Sequence, residues 1–336
     1  KCVGLTPFPA PGMRQGPILW WDFRGHHTQL DTEISKASPE LHWNSIELST
    51  LSLEYTLLLK RRRMGTSLSV FDAAWLSQVP PQSASNSWVR EVIGSPEEGG
   101  LYLQTLRDWF AAFPLKSGKD RLELKRGLEN CDTRAHLGRV NELSWWAFMR
   151  RANLHVEPVP TSTTPRPDLR VLAPSEFFVE VSTLNVSAEE NEELKKGGVR
   201  PYPDRTLRRI LLKAAKDKKD QISFSFGQQK ACALVLFDYG LWSGLGLDWC
   251  DVFAGVLLGR TNNFTKLPVS LSAIVYVVRK VIGGRIAVNR NRSAVYCNPN
   301  ATYPLPADTF GTLRQFGSER MDTKSPSQDC WFWLSE

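Results

Sequence analysis

Three acidic residues, Glu142, Asp168 and Glu180, each fall inside an otherwise apolar pattern. A carboxylate among apolar neighbours must be paired, protonated or bound to a cation, because an isolated buried charge is costly. Two of the three are tied together by register. The segment reads Pro167-Asp168-Leu169-Arg170-Val171-Leu172-Ala173-Pro174-Ser175-Glu176-Phe177-Phe178-Val179-Glu180-Val181-Ser182. Strands over 168–172 and 176–184, joined by a turn at Ala173-Pro174-Ser175, set Leu172 opposite Glu176, Arg170 opposite Phe178 and Asp168 opposite Glu180. Directly opposed residues have Cβ atoms about 5 Å apart on one face, where like charges repel. A hard divalent cation with oxygen ligands would offset that repulsion, and so would a proton on one carboxylate. A different turn length would instead leave Glu180 on the solvent face beside Ser182 and Asp168 at a loop end.

The elements on either side must bring further groups to this pair. A helix is expected over 135–153. At 100° per residue, Glu142 shares its face with Ala135, Gly138, Trp145, Trp146 and Met149, so that face should pack on the sheet. Glu142 then needs a partner, unless it sits at the helix margin or pairs with Arg139. A second, lysine-rich amphipathic helix is expected over 204–223. With Lys218 at the origin of its wheel, Leu207, Leu211, Ala214, Ala215 and Ile222 fall within about 60°, and Gln221 lies at the edge of that arc. Lys213, Lys216 and Arg209 fall on the far side, as a solvated face should. Lys218 is therefore the lysine on the core-facing stripe. It needs carboxylates or a substrate phosphate, unless it snorkels out past Ile222.

The remaining pattern places these pieces in a sheet. Residues 231–237 read as a buried strand, and 271–278 and 285–288 as strands flanking a turn with Gly283-Gly284. The order is helix, strand, strand, helix, strand, then further strands. It indicates an α/β (α+β) protein with a mixed sheet rather than repeated βαβ units. Residues 101–113 read as a helix stopped by Pro114. Upstream, 18–23 reads as a strand. Residues 45–59 form a helix or strand ending in Lys60-Arg61-Arg62-Arg63, and 80–87 is a polar linker. The basic run suits a solvated helix end better than a phosphate contact. His26-His27 cannot share a helix face and make a poor metal site. The division expected is 1–115 as an N-terminal region of unclear fold, open to a recognition or interaction role. It is followed by 116–300 as the core and 301–336 as a tail packing on it.

Composition narrows the class. The chain has 336 residues, 42% hydrophobic, as soluble globular proteins have. Its twelve Trp point to large buried aromatic clusters. A net charge of +7 favours polyanionic partners such as nucleic acid. The six Cys are scattered and form no C-x-x-C pair, which argues against a zinc knuckle or disulfide framework and for a reducing, cytoplasmic compartment. Cys232 lies in an apolar run and reads as a core residue. No signal-peptide pattern is read at the start, and no run approaches the ~20 apolar residues that span a bilayer, so no membrane association is expected.

The ordered set resembles the PD-(D/E)xK nuclease superfamily, with its restriction-endonuclease-like fold, over roughly 135–240. The matching parts are Glu142 in Asn141-Glu142-Leu143, Pro167-Asp168, Glu180-Val181-Ser182 and Lys218-Lys219-Asp220-Gln221, followed by the strand at 231–238. The resemblance implies that Asp168, Glu180 and Glu142 hold Mg²⁺, or Mn²⁺ in its place, in an endonuclease acting on nucleic acid, with DNA the first expectation. The chain departs from the family at Ser182, where the family's lysine would stand. Some members move that lysine to the following helix, which makes Lys218 the candidate, with Gln221 orienting it. If Lys218 lies outside the site, the alternative is an inactive nuclease-like module that binds nucleic acid, or a protein-interaction protein. A protein partner or a homo-oligomer stays open.

Overall fold

The computed structural model describes residues 68–78, 96–184, 215–238, 250, 267–317 and 330–334. The readings at 18–23, at His26-His27, over 45–63 and over 80–87 lie outside these residues, as does the 204–214 part of the lysine-rich helix. The chain divides into two compact units at Gly65–Thr66, and every described residue belongs to Thr66–Glu336.

Four helices come first: α1 (Ala73–Gln78), α2 (Pro96–Ala112), α3 (Gly118–Leu128) and α4 (Thr133–Arg151). Strands β1 (His155–Pro158), β2 (Leu169–Ala173) and β3 (Phe177–Thr183) follow. Then come α5 (Lys219–Gly227), β4 (Ala231–Asp238), β5 (Ala273–Ile282), β6 (Arg285–Asn289), β7 (Ala294–Cys297), β8 (Arg314–Phe316) and β9 (Trp331–Trp333). The strands form one mixed sheet in the order β1-β2-β3-β4-β5-β6-β9, with β7 pairing both β5 and β8. β2 and β3 are antiparallel, while β3, β4 and β5 run parallel. The architecture is thus mixed α/β with helices against the sheet. Among the described residues no helix is long and apolar enough to cross a membrane.

Local chemistry explains the main boundaries. Asp132 caps α4 by accepting from the Ala135 N–H, and Arg150 and Arg151 occupy its last turn, where the helix dipole favours cations. The helix stops at Asn153, whose φ of 59° is one that Asn tolerates better than most residues. Ser117 caps α3 by accepting from the Lys119 and Asp120 N–H groups. The β5–β6 hairpin closes with Ile282 opposite Arg285. Gly283 and Gly284 between them have φ of 54° and 72°, the pair of positive values a two-residue hairpin turn demands.

Alternation along the strands sorts the core into two layers. Phe177, Val179 and Val181 of β3 join Val235 and Phe237 of β4 in the cluster that holds α4. Phe178 joins Cys232, Leu234 and Leu236 in a second cluster, which holds Ala215 and Ile222 on and before α5. Cys232 is fully buried, as its apolar run suggested.

Two expectations are revised. From Val140 to Met149 every residue of α4 is buried, whereas Gly138 is exposed. The wheel of α4 therefore does not single out one core-facing stripe. The reason is that α2 and α3 cover the side of α4 turned away from the sheet. Buried His136 ties these helices together. Its Nδ1 lies 2.6 Å from the Leu128 carbonyl, which can only accept, so Nδ1 carries the proton; its Nε2 then accepts from the Tyr102 hydroxyl at 2.9 Å. Burial pushes His136 down to about 4, which keeps it neutral. α2 shares this core, within the unit that begins at Thr66.

The second revision concerns the lysine-rich helix. A helical turn at 215–217 is interrupted at Lys218, which has φ −102° and ψ 17° and serves as the N-cap of α5. α5 then continues to Gly227, past the end expected at 223.

Trp145 locks α4 to the sheet. It is fully buried, stacks on Phe148 at 4.6 Å, and meets the Phe237 ring edge-on at 6.2 Å. Its indole N–H is buried without a hydrogen-bond partner among the described residues. Trp145→Ala should lower stability by about 3–5 kcal/mol through lost burial and the cavity left behind. Trp145→Phe should cost much less, since it discards the orphaned donor with the extra ring. Urea unfolding followed by far-ultraviolet circular dichroism checks this; equal losses in both variants would contradict it.

Candidate functional site

The β2–β3 register places the two hairpin acids as the sequence spacing requires. Leu169 pairs with Val179, Arg170 with Phe178 and Val171 with Phe177. Asp168, one residue ahead of β2, continues that ladder opposite Glu180. The Val181 N–H donates to Asp168 Oδ2 at 2.8 Å, which pins the carboxylate against β3.

Glu180 stands in the middle of β3, beside Leu234 of β4, and is 2% exposed. Alternation puts it on the Phe178 side of the sheet, the side that α5 covers. From there Lys218 Nζ donates to Glu180 Oε1 at 2.5 Å. The other oxygen, Oε2, is buried with no hydrogen-bond donor among the described residues.

Glu142 comes from α4, which packs on the opposite side of β3. It is 9% exposed. Arg139 Nη1 donates to its Oε2 at 3.0 Å, and Arg139 Nη2 donates to Glu123 Oε1 of α3 at 2.8 Å. Glu142 therefore has the Arg139 partner that its place on the helix allowed for. Beside it opens a small cavity of about 30 Å³, lined by Asp120, Glu123, Arg139, Glu142, Val159 and Thr161. That is room for a water or two.

Electrostatics bind these groups into one system. Burial, then the Asp168 charge, pushes Glu180 up to about 8, against the opposing pull of Lys218. Burial and Asp168 likewise push Glu142 up to about 7, against Arg139. Burial also raises Asp168, while the Val181 N–H, Lys218 and Arg139 pull the other way. Burial works against the Lys218 ammonium, yet Glu180 and Asp168 outweigh it and hold Lys218 above the ordinary lysine value. Asp168 is the shared element: it raises both glutamates.

Lys218 thus reaches the hairpin acids, although it does so from a helix start rather than from the stripe of a continuous helix. Gln221 lies half-buried one turn further on. Its side chain makes no hydrogen bond to an acid among the described residues; its carbonyl accepts from the Ser225 hydroxyl at 3.5 Å. Ser182 is half-buried, two residues past Glu180 on the same strand. Glu123 was not visible beforehand because α3 was not read as a helix. The signal existed: Ser117-x-x-Asp120 is the spacing of a helix N-terminus.

The residues suit a divalent cation in chemistry more than in present arrangement. Two carboxylates opposed across a hairpin, one with a buried oxygen that has no donor among the described residues, form a hard oxygen donor set. Asp168 and Glu180 are the residues whose oxygens could hold such an ion. Among the described residues, however, no three His, Cys, Asp or Glu side chains are arranged to hold one ion, so the three acids are neighbours and not a preformed cage.

The raised values carry a sign for stability. A glutamate whose folded value is about 8, against an ordinary 4.5, binds more protons in the folded than in the unfolded state between those limits. Its favourable contribution is complete below about 4.5 and is lost as pH rises toward 8. Metal-free protein should therefore melt at lower temperature at pH 8 than at pH 5.5, and Glu180→Gln should recover on the order of 2 kcal/mol at pH 8. Added Mg²⁺ or Mn²⁺ should raise the melting temperature of the wild type at pH 8 and leave Glu180→Gln unmoved. Thermal scans across pH, with and without the ion, check this; a wild type indifferent to both ions would count against the site.

Comparison with known protein families, with curated proteins and with solved structures finds no match to this chain.

Proposed function

We propose that this protein is a metal-dependent endonuclease that hydrolyses phosphodiester bonds in nucleic acid, with DNA as its substrate, on a restriction-endonuclease-like core of the PD-(D/E)xK type. The observation that carries the reading is the convergence of Asp168, Glu180 and Lys218 from two strands and a following helix. Lys218 Nζ lies 2.5 Å from Glu180 Oε1. A missing lysine after Glu180 is the main departure from the PD-(D/E)xK pattern, and Lys218 supplies an ammonium where Ser182 does not.

Asp168 and Glu180 would hold Mg²⁺, with Glu142 completing the site or holding a water. The bound ion would polarise the scissile phosphate and lower the pKa of a water. Lys218, held protonated by its acidic neighbours, would position the attacking water or donate to the phosphate as negative charge builds on it. Arg139 keeps Glu142 turned toward α3 and its cavity. The net charge of +7 favours approach of a polyanion.

Asp168→Asn is the most telling variant, because its amide oxygen can still accept the Val181 N–H while the ligand charge is gone. Cleavage of plasmid and of single-stranded DNA in Mg²⁺ or Mn²⁺ should fall below detection in Asp168→Asn. In Lys218→Ala it should fall by roughly 10²–10³-fold, the loss that removal of one charge-stabilising donor brings. Undiminished cutting by Asp168→Asn would sink the proposal. One observation favours a second reading. The Lys218–Glu180 ion pair already neutralises part of the acid pair, so the same fold could bind nucleic acid without cutting it. Binding without cleavage by the wild type in either ion would select that reading.

A further inference from the structure

Away from the acids, the far end of the sheet concentrates cations and aromatic rings. From Leu267 to Asn300 the chain carries Arg279, Lys280, Arg285, Arg290 and Arg292 and not one Asp or Glu. In the paired strands β5, β6 and β9, Lys280 lies opposite Ala287, and Ala287 opposite Trp333; Asn289 lies opposite Trp331. Lys280, Arg285, Trp331 and Trp333 therefore share one face, since residues two apart on a strand and residues paired across strands point the same way. Lys280 and Arg285 are exposed and both Trp half-exposed. Lys280 Nζ lies 5.8 Å from the Trp331 ring and the Arg285 guanidinium 5.4 Å from the Trp333 ring.

We propose that this β5–β6–β9 face is a binding surface for single-stranded nucleic acid, with Trp331 and Trp333 stacking bases and Lys280 and Arg285 taking the adjoining phosphates. Three features argue for that occupant. The face is basic without any acid from its own strands, so it complements a polyanion. Each ring has a cation beside it, Lys280 from β5 at Trp331 and Arg285 from β6 at Trp333, which is the pairing a nucleotide chain needs, base to ring and phosphate to cation. The two Trp Cα atoms are about 7 Å apart, two residues along one strand, a spacing that suits neighbouring bases of an extended chain. In the free protein each cation covers a ring. Such exposed contacts are weaker than base–aromatic stacking, so an incoming base can displace the cation onto a phosphate.

The surface does not depend on the catalytic reading: its residues lie on strands remote in the sheet order from Asp168 and Glu180. Binding is measured on the full chain by fluorescence anisotropy of a fluorescein-labelled oligo(dT) of twenty nucleotides, without divalent ion. The comparison probes are an abasic oligonucleotide of the same length and labelled heparin. The expected result is tight oligo(dT) binding, weakened at least tenfold in Lys280→Ala/Arg285→Ala and again in Trp331→Leu/Trp333→Leu. The abasic strand should bind about as weakly to the wild type as oligo(dT) does to the Trp variant. Circular dichroism identifies any variant that fails to fold, and the charge pair, being exposed, tests the surface without disturbing the core. Asp168→Asn should bind oligo(dT) as the wild type does even if it cannot cut, which separates this surface from the acid site. Equal affinity for oligo(dT), abasic strand and heparin would overturn the stacking role. Unchanged binding by the charge variant, or no oligo(dT) binding at low salt, would overturn the surface and leave the face open to a protein partner.

Discussion

The organising constraint of this molecule is the antiparallel register that sets Asp168 across from Glu180. Opposed carboxylates about 5 Å apart on a buried face are unfavourable unless something lies between or beside them. The surrounding elements answer that constraint one group at a time. The Val181 N–H takes one oxygen of Asp168, and Lys218 takes one oxygen of Glu180. Arg139 takes Glu142 and joins it to Glu123. What is left over is Glu180 Oε2, buried and without a donor among the described residues. A buried acceptor with no partner costs on the order of 1–3 kcal/mol. A fold that keeps it has either a proton or a cation to put there.

The three acids are not equivalent. Asp168 and Glu180 belong to one hairpin, and their relation is set by backbone hydrogen bonds that cannot slip without turning the hydrophobic residues of β3 outward. Glu142 comes from the other layer and is held by a side chain, Arg139, that is itself shared. The register fixes where the backbone of the pair stands, and nothing of the kind ties Glu142 to it. The small cavity beside Glu142 and Arg139 has room for a water.

What could be read from the sequence follows the same division. The hairpin register was legible because it needs only a turn length and the period of two; the ladder through Arg170 and Phe178 is the one those rules produce. The strands at 231–238 and 273–282 and the helix stopped before Pro114 were legible from apolar runs and breakers. The stripe of α4 was not, because a helix buried all round has no polar face from which to take its bearing. β7, β8 and β9 are three or four residues long, too short for periodicity to show. The helix break at Lys218 was hidden for another reason. Lys216 through Lys219 carry no Gly or Pro, so no local signal interrupts the pattern. The interruption is a tertiary effect.

That interruption bears on what Lys218 is for. A helix N-terminus carries partial positive charge, so a lysine at the N-cap is electrostatically misplaced, and it makes no side-chain cap there. Asp220 in the first turn is what the dipole favours; Lys218 is not. Its side chain is also largely shielded from solvent, being 27% exposed. Neither helix propensity nor solvation accounts for a lysine in this place. The acid pair does, since Glu180 and Asp168 are the groups that hold its charge against both penalties. Ser182 leaves the strand without a cation, and the start of α5 provides one from the layer above. An ammonium delivered from a helix start is set by the packing of Ala215 and Ile222 beneath it rather than by the strand. Its reach to Glu180 is therefore adjustable in a way that a lysine two residues along β3 would not be.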